Sequence, residues 1–554
     1  MYKKIFVFLV IIAIVISCSK SSDTVDKTVK VTGLFSDVTS ITINEYDTIQ
    51  LPKLYTAYTD GTKTSATANW SVDSTSNIEI IGNSLVGKKA GIANLTAKVD
   101  SYTYSIKATI QKNSIISLKI TGYTPNVVIS HSYPIDIDIV FASGTKIKNP
   151  SGLVLTSRNS LVTITNTSVL PFKSGTDKIV AEFSGIKDSV SLSISPIEET
   201  AVDSYLSTPA SNSILTIPVI VVSYIPTANG IDVDVNKAPD YFSLNPISIA
   251  NMQAGILTSM KAVKFAAEEG SKFRGYKTPV NPYVGIKVIK HYTLYEMPNN
   301  KATLSGSSVN EPDFIKIFES IGLKDLVNKQ GVKEVWFNIN ALYKTLPSYN
   351  SSIHKDADLL VMPESNMSSP TSGDISNSYR NPLDLPIFDS TYVVYGFNSR
   401  GYFGDQVHLR SHQIEIQLRE LDKSPNKELF QNFFTGIPIG GGKPIGRCGG
   451  VHFPPNALND YEYGNTTFVK SDIETWTPSG GTYKDINYLT WLNQNYNWPN
   501  QLRQDAQGNW LIYWYQSIPG YNNNIQYNSY NLVNWWDLFY KWDDAVRSNK
   551  TLWK

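Results

Sequence analysis

The sequence predicts a multidomain protein in which two β-sandwich domains precede a large α/β domain with a loop-rich aromatic C-terminal part. With 554 residues the chain is too long for one core, because domains usually contain about 100–200 residues. From Val29 to Ile110 short β-branched runs alternate with Gly, Asn and Asp turn residues, a pattern typical of a small sandwich. After residue 213 strand-like and helical segments alternate, which favours an α/β layer structure.

The N-terminus has the order of a bacterial lipoprotein signal. Lys3 and Lys4 precede an apolar run from Ile5 to Ile14, and Val15-Ile16-Ser17-Cys18 follows as a lipobox. A transmembrane helix is the less favoured alternative, because the run is too short to cross ~30 Å of hydrocarbon. We therefore expect a signal peptide at residues 1–17, lipidation of Cys18 by acyl chains such as palmitate, and a flexible tether at residues 18–28. The predicted location is the cell envelope, lipid-anchored at the outer membrane, with either face possible.

An internal repeat predicts the two sandwiches. Asp60-Gly61-Thr62-Lys63 has a counterpart in Ser143-Gly144-Thr145-Lys146, and Ala90-Gly91 has one in Ser174-Gly175. The offset is about the size of one Ig-like domain. We place the two domains at residues 29–112 and 113–197.

The first copy resembles the bacterial Ig-like domain, group 2. The stretches that carry the resemblance are Ile49-Gln50-Leu51, Tyr58-Thr59-Asp60-Gly61-Thr62, Trp70-Ser71-Val72 and Gly87-Lys88-Lys89-Ala90-Gly91-Ile92-Ala93. The resemblance implies a core tryptophan and a spacer or adhesive module without catalysis, of the kind common in bacterial surface proteins. The second copy lacks the tryptophan and is identified as a divergent relative.

Charge and cysteine content exclude two classes of interaction. The formal net charge is +1 without a long basic block, so binding of nucleic acid through phosphate neutralisation is not expected. The two cysteines are Cys18 and Cys448. Because the first is committed to lipid, no intramolecular disulfide is expected and stability must come from burial.

The α/β domain is placed at residues 198–554. Its predicted strands are 217–222, 283–295, 332–339 and 392–395, and its predicted helices are 247–265, 313–327 and 403–421. The last eighty residues hold nine of the eleven tryptophans amid Asn, Tyr and Gly, and we expect a loop-rich aromatic cap. With its Glu-Ser-Asn-Met stretch at 364–367 and its Cys-Gly-x-x-His-x-Pro-Pro-Asn stretch at 448–456, the region resembles uncharacterised secreted bacterial proteins, a resemblance that implies no activity.

The third predicted helix carries a candidate metal site. His408, His412 and Glu415 fall within about 60° of one another on an α-helix, so they could converge on one ion such as zinc or another divalent metal. Two imidazoles and a carboxylate form a usual ligand set for catalytic zinc. The alternative is a half-exposed helix in which His412 has an ordinary hydrogen bond and Glu415 pairs with Arg419. His452, in a loop punctuated by Gly and Pro, could complete the site or act as an acid or base.

Two further residues are catalytic candidates. Cys448, flanked by Gly449, could be a nucleophile activated by His452, although a lone cysteine is more often a small buried hydrophobe. Glu364 is predicted to follow a strand, where α/β folds place functional carboxylates. It could act as a base, or pair with Glu415 in glycoside hydrolysis, whereas the plainer interpretation is a solvated loop carboxylate.

The aromatic cap supplies candidate ligand-binding residues. Tryptophan offers a flat apolar face with a polar handle, which suits stacking on sugars. The candidates are Trp498, Trp510, Trp514 and Trp535, of which one or two are expected in a cleft while most tryptophans pack in the core.

These patterns predict a cell-envelope lipoprotein whose C-terminal domain binds or processes extracellular glycan, with a metal-dependent hydrolase as one form of that function. The alternative is a non-catalytic adhesin or structural surface protein built on Ig-like spacers. The predicted partners are the membrane, through the N-terminal lipid, and a glycan or other surface ligand. The sequence leaves open whether the protein is an enzyme, its substrate and its oligomeric state.

Overall fold

The computed structural model describes residues 28–129, 131–227, 231–234, 247–295, 297–298, 300–302, 310–339, 364–375, 384–397, 403–438, 446–499 and 505–554. The predicted signal peptide and Cys18, the predicted site of lipidation, lie outside these residues. The chain divides into two compact units, residues 1–119 with 138–150, and residues 120–137 with 151–554. Among the described helices, none combines the length and the apolar character needed to span a bilayer.

Short strands with alternating burial dominate the region predicted as the first sandwich. They are β1 (Val31–Ser36), β2 (Ser40–Asn44), β3 (Thr48–Gln50), β4 (Leu54–Tyr58), β5 (Lys63–Ala66), β6 (Asn69–Val72), β7 (Ile78–Ile81), β8 (Ser84–Gly87), β9 (Gly91–Val99) and β10 (Tyr102–Gln111). The sheet orders are β1-β4-β5, β2-β10-β9-β6 and β3-β8-β7. Ile78, Leu85 and Ile106 are fully buried in its core, and Trp70 packs against that core.

The next ten strands repeat this topology. They are β11 (Ile115–Gly122), β12 (Asn126–Val128), β13 (Tyr133–Pro134), β14 (Asp136–Phe141), β15 (Lys146–Lys148), β16 (Val154–Ser157), β17 (Val162–Thr165), β18 (Ser168–Pro171), β19 (Gly175–Phe183) and β20 (Ile186–Ser195). The orders β11-β14-β15, β12-β20-β19-β16 and β13-β18-β17 match those of the first ten strands one for one. Leu155 faces Ala181 where Trp70 faces Ala97, so a leucine takes the place of the missing tryptophan.

The region from residue 204 to 421 alternates strands and helices. The elements are α1 (Ser204–Ser207), β21 (Leu215–Tyr224), α2 (Ile249–Gly270), β22 (Val284–Leu294), β23 (Asn300–Ala302), β24 (Asn310–Pro312), α3 (Phe314–Ser320), α4 (Leu323–Gln330), β25 (Glu334–Asn338), β26 (Ser365–Ser368), β27 (Tyr392–Phe397) and α5 (Phe403–Leu421). The predicted helix 313–327 is divided into α3 and α4, because Gly322 between them has a φ of +64°, in the left-handed region that interrupts a helix.

A five-stranded sheet in the order β22-β21-β25-β27-β26 forms the centre of this region. Its first four strands are parallel, and β26 pairs antiparallel with β27 at the edge. Successive strand residues point to opposite faces, so Trp336 and Phe337 contact different layers. Phe337 packs edge-on against Phe314 of α3, whereas Trp336 belongs to a core shared with α2, α5 and residues 506–517. The architecture is therefore the α/β layer structure that the sequence predicts.

The C-terminal part consists of loops and short elements. They are a 3-10 turn (Pro425–Lys427), a π-helix (Leu429–Thr435), β28 (Val469–Ser471), a 3-10 turn (Ile473–Thr475), β29 (Lys484–Ile486), α6 (Tyr488–Leu492), α7 (Ala506–Ser517), β30 (Gln526–Tyr527), β31 (Tyr530–Asn531), α8 (Trp535–Tyr540) and α9 (Trp542–Arg547). Most of its tryptophans are fully buried and replace the aliphatic side chains that this segment lacks.

Candidate metal centre

Three histidines from two parts of the chain meet beside the carboxyl edge of the sheet. His408 and His412 lie one turn apart on α5, which follows β27, and His452 comes from the loop after Gly449. The Nε2 atom of His412 is 2.8 Å from that of His408 and 2.9 Å from that of His452. Within the described residues, these are the histidine, cysteine or acidic side chains whose ligand atoms lie close enough together to hold one ion.

Buried tryptophans fix the loop that carries His452. The indole nitrogen of Trp510 donates to the Gly450 carbonyl at 3.2 Å, and that of Trp514 donates to the Gly449 carbonyl at 3.0 Å. Gly449 has a φ of +71°, and a Cβ there would lie 2.4 Å from the Phe453 carbonyl oxygen. The tight turn therefore requires glycine at this position. It directs the imidazole of His452, three residues later, toward α5.

The outer nitrogen of each imidazole faces an oxygen acceptor. His408 Nδ1 lies 3.1 Å from the hydroxyl of Tyr463, which itself donates to the Val451 carbonyl and so accepts from the imidazole. His412 Nδ1 lies 3.3 Å from Glu415 Oε2. These acceptors favour the neutral tautomer with its proton on Nδ1, in which the Nε2 lone pairs are directed at one another.

His452 repeats the arrangement more loosely, since its Nδ1 is 3.6 Å from Asp460 Oδ1. Three converging lone pairs repel one another unless a proton or a cation lies between them. Second-sphere oxygen acceptors that orient ligand imidazoles are the usual surroundings of a protein-bound metal. The donor set therefore fits a divalent ion.

Burial and mutual repulsion oppose protonation of two of the three rings. Burial, with the charges of His412 and His452, lowers the pKa of His408 to about 2. Burial and the charge of His412 also lower the pKa of His452. Burial acts in the same direction on His412, but the hydrogen bond and charge of Glu415, with the charge of Glu364, raise its pKa overall. Neutral imidazole is the form that binds metal.

Glu415 occupies a different position from the predicted one. Its Oε2 accepts from His412 Nδ1, and its Oε1 accepts from the Val451 backbone N–H at 2.8 Å. Both oxygens are thus engaged behind the imidazoles, and the third ring at the centre is His452. The sequence predicted correctly that Glu415 shares a face of α5 with the two histidines. Because Glu415 lies three residues after His412, its carboxylate contacts the outer nitrogen of that imidazole.

We expect Glu415→Gln to weaken zinc binding by ~10–100-fold, the usual effect of losing a carboxylate that orients a ligand histidine. Competition titration with a zinc-sensitive dye measures the affinity. Glu420→Gln is the matched control, because Glu420 is an exposed carboxylate of the same helix that pairs with Lys427. Equal affinities for Glu415→Gln and wild type would contradict this assignment.

Glu364 lies near the centre for a reason other than the predicted one. It directly precedes β26, whose first residue Ser365 pairs with Tyr395 near the carboxyl end of β27. Because β26 is antiparallel, its beginning reaches the carboxyl edge of the parallel strands. The Glu364 charge adds to the raised pKa of His412, after Glu415, and to that of Tyr461, after burial.

Two tyrosines that the sequence patterns did not predict also belong to the site. Tyr463 orients His408, and the exposed Tyr461 ring lies 4.4 Å from the His452 ring, centroid to centroid. Tyr461 has a φ of +63°, a strained conformation for a side chain of this size. Its backbone N–H donates to the His452 carbonyl. No spacing rule marks these residues, since the loop fold alone brings them to the histidines.

Cys448 does not have the surroundings of a nucleophile. Its side chain is fully buried in the main core, and burial raises the pKa of its thiol well above the ordinary value. A thiol in such a site stays protonated and unreactive. Cys448 therefore acts as a small core residue, the alternative that the sequence left open.

The four candidate tryptophans also occupy structural positions. Trp510, Trp514 and Trp535 are fully buried, so their rings do not face solvent. Trp498 is partly buried, packs on Phe265 and donates its indole N–H to Asn509. The predicted stacking platform is thus wrong for the three buried residues, two of which position the histidine loop instead.

A cleft of about 520 Å³ opens on one side of the centre. His412, Glu415, Val451, His452 and Phe453 line its inner end. Farther out it is lined by Arg419, Asn426, Lys427, Phe430, Gln431, Thr435 and Ile437. The volume is in the range of ligand-binding clefts, ~300–1,000 Å³.

Comparison with known proteins yields only partial structural similarity. No protein-family model matches the chain, and no curated protein matches it. Solved structures with similar parts include domains 5–6 of the S-layer protein SbsC, at 12% identity and a TM-score of 0.15 over 30% of this chain and 98% of that one. The Yersinia pseudotuberculosis adhesin InvE matches at 12% identity and a TM-score of 0.15, over 33% of this chain and 67% of that one. Titin A168–A169 matches at 11% identity and a TM-score of 0.15, over 29% of this chain and 98% of that one. These neighbours contain Ig-like β-sandwich repeats, and TM-scores this low carry no argument beyond that.

Proposed function

We propose that residues 198–554 form a metal-dependent hydrolase that removes an acyl group from an extracellular glycan. In this proposal the lipid on Cys18 and two Ig-like modules present the enzyme at the cell envelope. The observation that supports it best is the convergence of three Nε2 atoms, with the rings of His408 and His412 oriented through Nδ1. Three protein ligands with one coordination position left for water are typical of catalytic zinc sites.

The chemistry of the donor set favours attack on a carbonyl group. A metal ion held by the three imidazoles would polarise a carbonyl oxygen and lower the pKa of bound water to ~7. Glycoside hydrolysis, by contrast, ordinarily relies on a pair of carboxylates that flank the glycosidic bond. Both oxygens of Glu415 contact His412 and Val451, so Glu415 is not available as the second carboxylate of a glycosidase pair.

In the proposed reaction Glu364 takes a proton from water as the water oxygen bonds to the acyl carbon. Glu364 then passes that proton to the leaving sugar oxygen or nitrogen as the bond from that atom to the acyl carbon breaks. The products are a free carboxylic acid and a deacylated sugar. In this proposal Tyr461, whose ring lies next to that of His452, donates a hydrogen bond to the oxygen that becomes negative.

We expect release of acetate from acetylated chito- and xylo-oligosaccharides by zinc-loaded full-length protein. Chelation should abolish the activity, because the metal supplies the attacking water, and added zinc should restore it. His452→Ala should be inactive even with zinc, whereas His131→Ala, which alters a histidine outside the centre, should behave as wild type. Activity that survives both chelation and His452→Ala would refute a metal-dependent reaction.

A non-catalytic adhesin is the second candidate, and the duplicated sandwich topology of residues 29–197 favours it. Such modules extend a binding domain away from the cell surface. Cell-attachment assays with a deletion of residues 198–554 test this function. Attachment lost with the deletion but retained in His452→Ala would favour the adhesin over the hydrolase.

A further inference from the structure

The cleft beside the metal centre continues along α5 toward a cationic end. His412, Glu415 and Arg419 follow one another at i, i+3 and i+7, so they share one face of the helix. With a rise of 1.5 Å per residue, Arg419 lies ~10 Å along the helix from His412. A ligand that reaches the centre through this cleft therefore passes Arg419.

The charges in the cleft do not cancel at this end. Arg419 is exposed, and its Nη2 donates to Gln431 Oε1 at 3.1 Å, which ties the guanidinium to another residue of the cleft lining. Lys427 also lines the cleft and remains 44% exposed while its Nζ lies 3.4 Å from Glu420. Glu415, the carboxylate lining the inner end, is already engaged by His412 and Val451.

Hydrogen bonds and an unusual backbone conformation hold the wall of the cleft that carries Lys427. Asp422 accepts hydrogen bonds from the backbone N–H groups of Ser424 and Phe430, which closes the loop between α5 and the π-helix. Asn426 and Lys427 both have φ values near +53°, a strained conformation for two successive non-glycine residues. The π-helix that follows is a rare kind of element that frequently occurs at functional sites, and it contributes Gln431 and Thr435 to the cleft.

We propose that this end of the cleft binds the carboxylate of an acidic glycan, a uronate unit ~10 Å from the acyl group under attack. A guanidinium is suited to a planar carboxylate, and the ammonium of Lys427 adds charge. The side-chain amide of Asn426, which also lines the cleft, matches a sugar hydroxyl. The proposal rests on the proposed function, since it names the substrate class of that same site.

The test is calorimetric binding of trigalacturonate and of its neutral methyl ester to the full-length protein. Trigalacturonate should bind, and Arg419→Gln should weaken its binding ~10-fold or more through loss of a charge-assisted hydrogen bond. Lys427→Gln should weaken it by a smaller factor. The matched control is Lys423→Gln, which removes a charge from the same segment outside the cleft lining and should leave the affinity unchanged.

Three results would overturn the proposal: no binding of trigalacturonate, equal binding of the methyl ester, or an unchanged affinity in Arg419→Gln. Zinc content measured on the same samples separates this proposal from the metal centre. Arg419→Gln should keep the metal, and His408→Ala/His412→Ala should lose it. If wild-type protein binds trigalacturonate through its carboxylates but contains no metal, the proposed hydrolase function is rejected while the proposed binding of an acidic glycan stands.

Discussion

Arg410→Met is expected to lower the free energy of unfolding of the C-terminal region by about 3–5 kcal/mol, the usual effect of breaking a buried ion pair from one side. The Arg410 and Glu334 side chains are 1% and 2% exposed, and Arg410 Nη2 is 3.0 Å from Glu334 Oε1. Glu334 also accepts from Trp336 Nε1 at 2.8 Å and from the Tyr540 hydroxyl at 3.2 Å. Removal of the guanidinium leaves a carboxylate buried without its counter-charge.

This network also connects α5 to the sheet and to α8. Arg410 lies between His408 and His412 in sequence and points to the opposite side of the helix. Its ion pair with Glu334 therefore fixes the rotation of α5 about its own axis, and with it the direction of the metal-binding face. Denaturant unfolding followed by tryptophan fluorescence reports on this region, because nine of the eleven tryptophans lie in the last eighty residues.

Lys470→Ala is the control for this prediction. It breaks an exposed ion pair with Asp485, and such pairs contribute only about 0–1 kcal/mol. Replacement of both buried partners, Glu334→Leu with Arg410→Met, should recover part of the loss, because no unpaired charge then remains. A single Arg410→Met variant as stable as Lys470→Ala would contradict the assigned role of the network.

Glu364→Gln is expected to reduce kcat for deacylation by ~10²–10⁴-fold, the range for loss of a general base. The amide has nearly the same shape as the carboxylate but does not accept the proton from water. Because Glu364 is not one of the three converging ligands, zinc content should stay at the wild-type level. This separates a defect in proton transfer from loss of the metal.

Asp389→Asn serves as the comparison for Glu364→Gln. Asp389 is a loop carboxylate that accepts a hydrogen bond from Asn328 at 2.8 Å and lies outside the cleft beside the centre. Its variant should keep the wild-type rate. If Glu364→Gln were equally active while fully loaded with zinc, another group would have to be the base.

Helical spacing was enough to predict much of the site. The helix 403–421 was predicted with the bounds that the structure has, and the side-chain positions of His408 and His412 follow from its geometry. Sequence spacing gives the face of a helix but not which ring nitrogen a neighbour contacts. That is why Glu415 was assigned to the ion although it contacts the outer nitrogen of His412.

The remaining site residues depend on long-range folding. Tyr461 and Tyr463 reach the histidines through a loop held by Trp510 and Trp514, and no local pattern encodes that path. The sequence could not separate ligand-binding tryptophans from core tryptophans either, since a ring suited to stacking on sugar is equally suited to a core with few aliphatic residues. The antiparallel course of β26, which brings Glu364 to the carboxyl edge, had no signal in the sequence either.

The central claim is that His408, His412 and His452 hold one metal ion, and elemental analysis of tag-free protein tests it most directly. Full-length wild type, His412→Ala and His131→Ala should be dialysed against zinc and then against buffer before the measurement. The account predicts one zinc ion per chain in wild type and in His131→Ala, and none in His412→Ala. Wild-type protein without bound metal, or equal metal in all three proteins, would contradict it.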